Sequence, residues 1–318
     1  MLTAKTLLMA KIEATYNSDP TPVKTADVVV VHNVSVTPNT TFNDTQGLDC
    51  SMSPRAGTMG RQYMDITFDH ELQTNSSSKA KLSCDVLLKA CGYAYAAGPP
   101  GVYTPYSAYP SGLSSVTMYI HQDGMLWKTT GARGNVEFTF TAGEPVIASF
   151  TFQGIYVGGF TAVPFPTGCT GTEASLPLVA INKNLAWGGE TPVDHPEVES
   201  LSFSLNNTLF ARPTMDDAAA YGIGGIEITG RAGEGSMNPL AVATTDIPFL
   251  TAFNAGTESD LTYIVGDTNS TVLFDLPKVQ FTNLTPGDRS GTRIFDLPFK
   301  VVREDGDDEI EITVTAVA

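Results

Sequence analysis

Apolar and polar residues alternate with a period of two along most of the chain, the pattern of strands that bury one face. In the first half this predicts strands over Asp27–Thr37, Tyr63–Leu72, Val116–Ile120, Met125–Thr129, Val136–Thr141 and Val146–Tyr156, the last two joined as a hairpin at Gly143-Glu144-Pro145. From Gly158 to His195 the alternation dissolves into Gly, Pro and Thr, which predicts a connection holding at most one short strand. Strands resume over Val198–Leu205, Gly225–Thr229, Leu261–Val265, Val272–Phe274, Lys278–Thr282, Arg293–Val302 and Glu309–Thr315. Two short helices interrupt them. Ser83 or Asp85 caps a turn through Val86, Leu87, Leu88 and Cys91 that Gly92 ends, and Thr245 or Asp246 opens Ile247–Asn254, closed by Gly256.

The order of elements is the same in both halves: strand, long loop, strand, short helix ending in Gly, strand, long hairpin. Tyr119 to Phe152 spans 33 positions and Tyr263 to Phe299 spans 36. We read an internal duplication, with a first β domain over 1–160, a linker over 161–195 and a second β domain over 196–318.

Composition narrows the class. A chain of 318 residues exceeds the roughly 250 that one core usually serves, and 42% hydrophobic residues suffice for a real core. Only 16% are charged, well under the usual quarter or so, which disfavours coiled coils, helical bundles and disordered tails. Lys+Arg number 18 against 34 Asp+Glu, a net charge of −16. That argues against a protein that grips nucleic acid by its phosphates, though not against one that DNA slides past. The acidity is lopsided: residues 1–160 hold 10 basic and 12 acidic side chains, residues 161–318 hold 8 and 22. No apolar run approaches the 18–20 or so residues of a membrane helix. The opening MLTAKTLLMAKIEATY, interrupted by Lys5 and Lys11, does not read as a secretion signal. Cys50, Cys84, Cys91 and Cys169 lack CxxC spacing, and Cys84 and Cys91 lie two helical turns apart, so four reduced thiols of a cytosolic product are expected.

Groups that carry chemistry are sparse. Asp65, Asp69, His70 and Glu71 resemble an acid/base or metal cluster, but on a strand His70 points away from the three carboxylates. His32, His121 and His195 have no partner at metal-ligand spacing, and no nucleophile elbow, zincin or phosphate-loop motif occurs. Gly222 to Gly225 precedes a strand rather than a helix, which disfavours a phosphate cradle. The turn Glu304–Glu309 is either a solvated acidic loop or a weak calcium site; it lacks the twelve-residue spacing of an EF-hand. Asn-x-Ser/Thr triplets at 33, 39, 43, 75, 206, 269 and 283 are read as chance in a Ser/Thr-rich chain. No catalytic, cofactor or metal residue is assigned. Pro38–Gly60 stands out as a polar loop too long for an ordinary turn, which reads as either a floppy loop or an arm that orders against a neighbouring subunit.

An ordered series of segments is similar to the tail tube (major tail) proteins of long-tailed, non-contractile phages and Mu-like prophages. It runs from Leu2-Thr-Ala-Lys through Tyr16 and Pro22, Val34–Pro38 and the helix ending Leu-Leu-Lys-Ala-Cys-Gly92, to Tyr103-Thr-Pro-Tyr-Ser107. It is strongest at Ser115–Gly124, Leu126–Gly134 and Phe150–Tyr156, and continues at Val198–Ser202, Pro277–Phe281 and Asp307–Ile312, with a sparse stretch between about 205 and 260. The resemblance implies a mainly β fold, two tandem tail-tube-type β-sandwich or barrel domains, each with a flanking short helix and a long hairpin. It implies a structural subunit and no enzyme or cofactor. Stacked rings would surround a channel for DNA, and tandem domains would give trimers of pseudo-sixfold symmetry. The implied partners are the chain itself, a tape measure protein, tail terminator and distal tail or baseplate proteins, and DNA passing without specific binding, with no membrane. The implied location is the virion tail, assembled in the host cytoplasm. Inter-subunit contacts are expected at Leu2, Tyr16, Pro22, Phe42, Leu48, Met52 and Arg55, with the segment Met1–Pro22 and the Pro38–Gly60 loop reaching between rings. Acidic Glu258, Asp260, Asp267 and Asp288 are expected to face the lumen, where they would repel phosphate. Two rival readings are a β-sandwich carbohydrate-binding or adhesin module, with Trp127 and Trp187 as its only tryptophans, and a β-rich hydrolase using Asp65 and Asp69.

Overall fold

The structure, a computed structural model, describes residues 5–47, 50–75, 79–106, 112–158, 161–169, 176–181, 185–188, 197–216, 220–241, 249–266 and 270–316. Alternation makes the strands. Along Thr58–Glu71, Met64, Ile66, Phe68 and His70 are buried while the residues between them are at least partly open. The first half contains β1 (Thr6–Ile12), β2 (Val28–Val29), β3 (His32–Asn43), β4 (Thr58–Glu71), α1 (Asp85–Ala90), β5 (Tyr93–Ala96), β6 (Gly101–Pro105), β7 (Val116–Gln122), β8 (Met125–Thr141), β9 (Ile147–Tyr156) and β10 (Thr161–Ala162). The second contains β11 (Leu185–Trp187), β12 (Val198–Ser204), β13 (Asn207–Pro213), β14 (Ile223–Arg231), β15 (Glu234–Pro239), α2 (Phe249–Ala255), β16 (Ser259–Gly266), β17 (Ser270–Phe281), β18 (Thr285–Arg289), β19 (Thr292–Val302) and β20 (Glu311–Ala316). The protein is mainly β, and its pairings close no barrel among the described residues.

Strand order repeats. The first half pairs antiparallel in the order β1, β7, β8, β9, β4, β3. The second pairs antiparallel as β11, β16, β17, β19, β15, β12. β10 lies beside β8 as β20 lies beside β17. Along β19, β18 follows the end of β17 just as, along β9, the end of β8 follows its middle. Between β12 and β15 the chain makes the separate hairpin β13–β14, at the place where the first half makes the long hairpin β3–β4. The repeat is one of strand order rather than of residue matching. Tyr119 turns away from the core to Asp19, whereas Tyr263 packs edge-on to Phe140.

The halves share one core. β12 docks on the end of β8, from Ser200 opposite Thr141 to Ser204 opposite Glu137, and β20 docks on β6. Under that joint Phe138, Phe140 and Phe203 meet Phe274, with ring centroids 5.1 to 5.6 Å apart. Such offset and edge-on pairs add about 0.5–1.5 kcal/mol each beyond the area they bury.

Several expectations change. Pro38–Gly60 is not a loop. β3 runs to Asn43 and β4 begins at Thr58, so only 44–57 connects them. This ribbon exposes both faces, and alternation is visible only when one face is buried. The opening segment, read as an arm, carries β1, where Leu8, Met9 and Ala10 are consecutive and all buried; covering on both faces erases the period. β13 and β15 also escaped detection: half of β15 is Gly, Asn or Pro, and β13 carries Asn207 and Pro213 at its ends. Val272–Phe274 and Lys278–Thr282 form one strand, because Pro277 sits at a bulge where the ladder needs no donor. Neither Ser83 nor Asp85 caps α1. The cap residue is Cys84, without a side-chain hydrogen bond, and Asp85 lies in the first turn, paired with Lys81 and Lys89. Gly92 and Gly256 adopt positive φ as each helix ends. Thr245, Asp246 and Ile247 lie outside the described residues.

Candidate functional site: open sheet edges and projecting hairpins

The residues with chemical potential are tied into the fold. His70 is buried. Its Nδ1–H donates to the Val30 carbonyl at 2.7 Å, the Ser83 hydroxyl lies 2.8 Å from Nε2, and burial holds the imidazole below its ordinary pKa. On the opposite face Asp65 accepts from Asn39, and Asp69 accepts from Asn33 and Ser149. The two carboxylates of the hydrolase reading are thus engaged with amides and a hydroxyl. In the acidic turn Asp308 accepts the Glu304 and Asp305 backbone N–H groups, while Asp307 and Glu309 pair with Arg231. No three His, Cys, Asp or Glu side chains gather around a metal-sized point among the described residues. The four cysteines are free, and burial pushes the Cys84 thiol up to about 12, a poor nucleophile. Trp187 is buried against Phe249 and Phe281, and Trp127 is half-buried with its indole N–H on Gln122.

The expected contact residues divide into two groups. Tyr16 and Pro22 are used inside the chain. Glu13 accepts from Ser115, Thr117, Gly131 and Asn17 at 2.6–2.7 Å, which pins the segment to β7 and β8. Tyr16 donates to the Gly131 carbonyl and accepts the Ile226 N–H at 2.6 Å, under the Arg133 guanidinium. It therefore clamps β14 to the first half, and burial raises its pKa. Pro22 is buried. Phe42, Met52 and Arg55 lie instead on the projecting β3–β4 hairpin, all exposed; Phe42 is 56% and its cross-strand partner Met59 68% open. Large apolar side chains so open on a hairpin are the kind that a second protein covers. Leu2 and Leu48 lie outside the described residues. Sequence reasoning missed Met59, because the ribbon that pairs it with Phe42 was read as loop.

Of the expected lumen acids, Glu258 is exposed and pairs with Lys278, Asp260 is half-buried on β16, and Asp288 is exposed on β18, accepting from the Gly291 N–H. Asp267 lies outside the described residues. Reasoning from sequence did not single out Asp275, which faces Thr262 on β16 and Glu311 on β20. Its carboxyl is pushed up by burial first, then by the charges of Glu311, Asp260 and Glu304. A proton held more tightly in the fold than in the unfolded chain stabilises below the unfolded value, near 4, and that contribution is lost as pH rises through the raised one. Asp275→Asn is therefore expected to raise Tm at pH 7 and to leave it unchanged or lower at pH 3.5; thermal melts at the two pH values check this. Like charges set across neighbouring strands cost stability, so this acidic band on β16, β17 and β20 is not there to hold the fold.

Sheet edges with no strand partner among the described residues, an exposed apolar hairpin and carboxylates gathered on β16, β17 and β20 suit a subunit that assembles with other chains. The family model for phage tail tube protein matches residues 3–318, and the chain belongs to that family. It is thus a structural component of a virion, in a family that is not an enzyme class. A comparison with curated proteins finds no match. No helix among the described residues is long and apolar enough to cross a membrane.

Proposed function

We propose that this chain builds the tail tube of a long-tailed, non-contractile phage of the siphophage or Mu-like kind, as rings that stack around a DNA channel. The observation that carries the ring reading is the repeat. Two units of the same strand order sit in one chain and join edge to edge, so each chain supplies two of the units a six-unit ring needs, and three chains complete it. Head-to-tail contacts close into rings when the rotation between units allows. The acidic second half suits a bore that must hold a polyanion without binding it: Glu258, Asp260, Asp267 and Asp288 would contribute, and Asp275 and Glu311 extend the band beside Asp260. Tape measure, terminator and distal tail proteins are the partners such a tube requires, assembled with it in the host cytoplasm.

Native mass spectrometry of released rings tests the copy number. Three chains per ring is the expected result; six would overturn the trimer.

A further inference from the structure

Two strand edges stand open in corresponding places. The outer edge of β12 is covered by β8, and there Leu201 and Phe203, opposite Phe140 and Phe138, are almost wholly buried. Its counterpart β3 pairs only with β4 among the described residues, and the matching apolar positions Val34 and Val36 stay half-open. The covering edge has a counterpart too. β18 occupies beside β19 the place that residues 137–141 of β8 occupy beside β9, and among the described residues it has no strand on its other side. Leu284, just before β18, and Pro286 within it turn the way Phe138 and Phe140 do; Leu284 packs against the common core and Pro286 sits opposite Phe295, which does the same.

We infer that β3 of one chain docks antiparallel on β18 of a second copy, reproducing between chains the joint that β12 makes with β8 within one. The register that covers the apolar pairs sets Val36 over Leu284 and Val34 over Pro286. Ser35 then lies opposite Thr285, as Ser202 lies opposite Thr139 in the internal joint. This rests on the ring reading and names the surfaces that close it. Each edge carries one proline, Pro38 on β3 and Pro286 on β18. Each lacks a donor, which weakens indiscriminate pairing and leaves a joint that depends on its side chains.

The same operation explains the exposed hairpin. β12 on β8 brings the β13–β14 hairpin across the first half, where Ile223 and Ile226 bury Ile155, Tyr221 meets Tyr156 edge-on, and Arg133 donates to the Ile226 carbonyl. β3 on β18 of the next chain carries the β3–β4 hairpin across β15, β17 and β19, the counterparts of β4, β8 and β9. Phe42 and Met59 are the apolar residues it brings.

Disulfide trapping in assembled protein tests the joint. Ser35→Cys and Thr285→Cys, both at exposed positions, are combined with Cys50→Ser and Cys169→Ser; the buried Cys84 and Cys91 stay. Facing residues of antiparallel strands lie about 4.5–5.5 Å apart at Cα, within disulfide reach. Mild oxidation is expected to link chains about tenfold more than in a Thr41→Cys/Thr285→Cys control, whose sites would sit roughly 20 Å apart. Rings that assemble but show no excess over the control would overturn this joint and leave the ring reading standing. Chains that never associate, with or without the cysteines, would overturn both.

Discussion

Removing residues 44–57 and joining Asn43 to Thr58 through an Asn-Gly turn is expected to leave a folded chain that no longer builds tubes. The described side chains of 44–56 are exposed and Gly57 is only half-covered, so no described core side chain is lost. Asn43 and Thr58 already face each other as the last pair of the ladder, and an Asn-Gly turn suits the right-handed twist of paired strands. Shortening a loop also lowers its closure entropy slightly. Tm is therefore expected to move by no more than about 4 °C, the shift that roughly 1 kcal/mol produces in a chain of this size. Assembly should suffer far more. An apolar anchor at a protein interface commonly contributes about 2 kcal/mol or more, and the deletion removes Met52 and the mount that holds Phe42 and Met59. The concentration needed for assembly should rise about 30-fold or more. Light scattering against concentration, beside a thermal melt, measures both effects. Tubes forming at the original concentration would show that the hairpin is only a surface feature.

Phe274→Ala should produce the largest loss of stability. The side chain is fully buried where the halves meet, against Phe138, Phe140 and Phe203. Truncating a buried phenylalanine costs about 3–5 kcal/mol, combining lost transfer energy with the cavity left behind. At roughly 2–4 °C per kcal/mol, Tm should fall by at least about 6 °C. The location makes the result informative. Since β8 and β12 form one ladder and Phe274 fills the space beneath it, the intact protein should unfold in one calorimetric transition, and the variant should also melt once, at lower temperature. Two separate transitions, only the second lowered by Phe274→Ala, would mean that the units at 1–160 and 196–318 fold independently.

The sequence exposed the second half of this architecture less clearly than the first, for physical reasons. Where a strand buries one face, as β4, β8, β9 and β19 do, two-residue alternation in the text marks it. Alternation fails for β1, covered on both faces, and for the β3–β4 ribbon, covered on neither. The repeated strand order was legible as an order of elements, because the order of strands survives exchange of nearly every side chain. Its residue alignment was not: Tyr119 and Tyr263 occupy opposite faces, since a shift of one residue reverses the facing of a strand. The contact candidates divided for the same reason. Tyr16, Pro22 and Phe42 are alike as apolar residues in a polar context, yet only the folded chain shows that Tyr16 clamps β14, that Pro22 is buried and that Phe42 stays open. Met59 and Asp275 become visible only once their cross-strand partners are known.

The central claim is that this chain closes on copies of itself into a tube. Negative-stain electron microscopy of the purified protein across a concentration series, with light scattering on the same samples, tests it most directly. Rings, or striated tubes with a stain-filled bore, that lengthen as concentration rises are the expected result. A chain that remains monomeric at every concentration, with no annular particles, would contradict it.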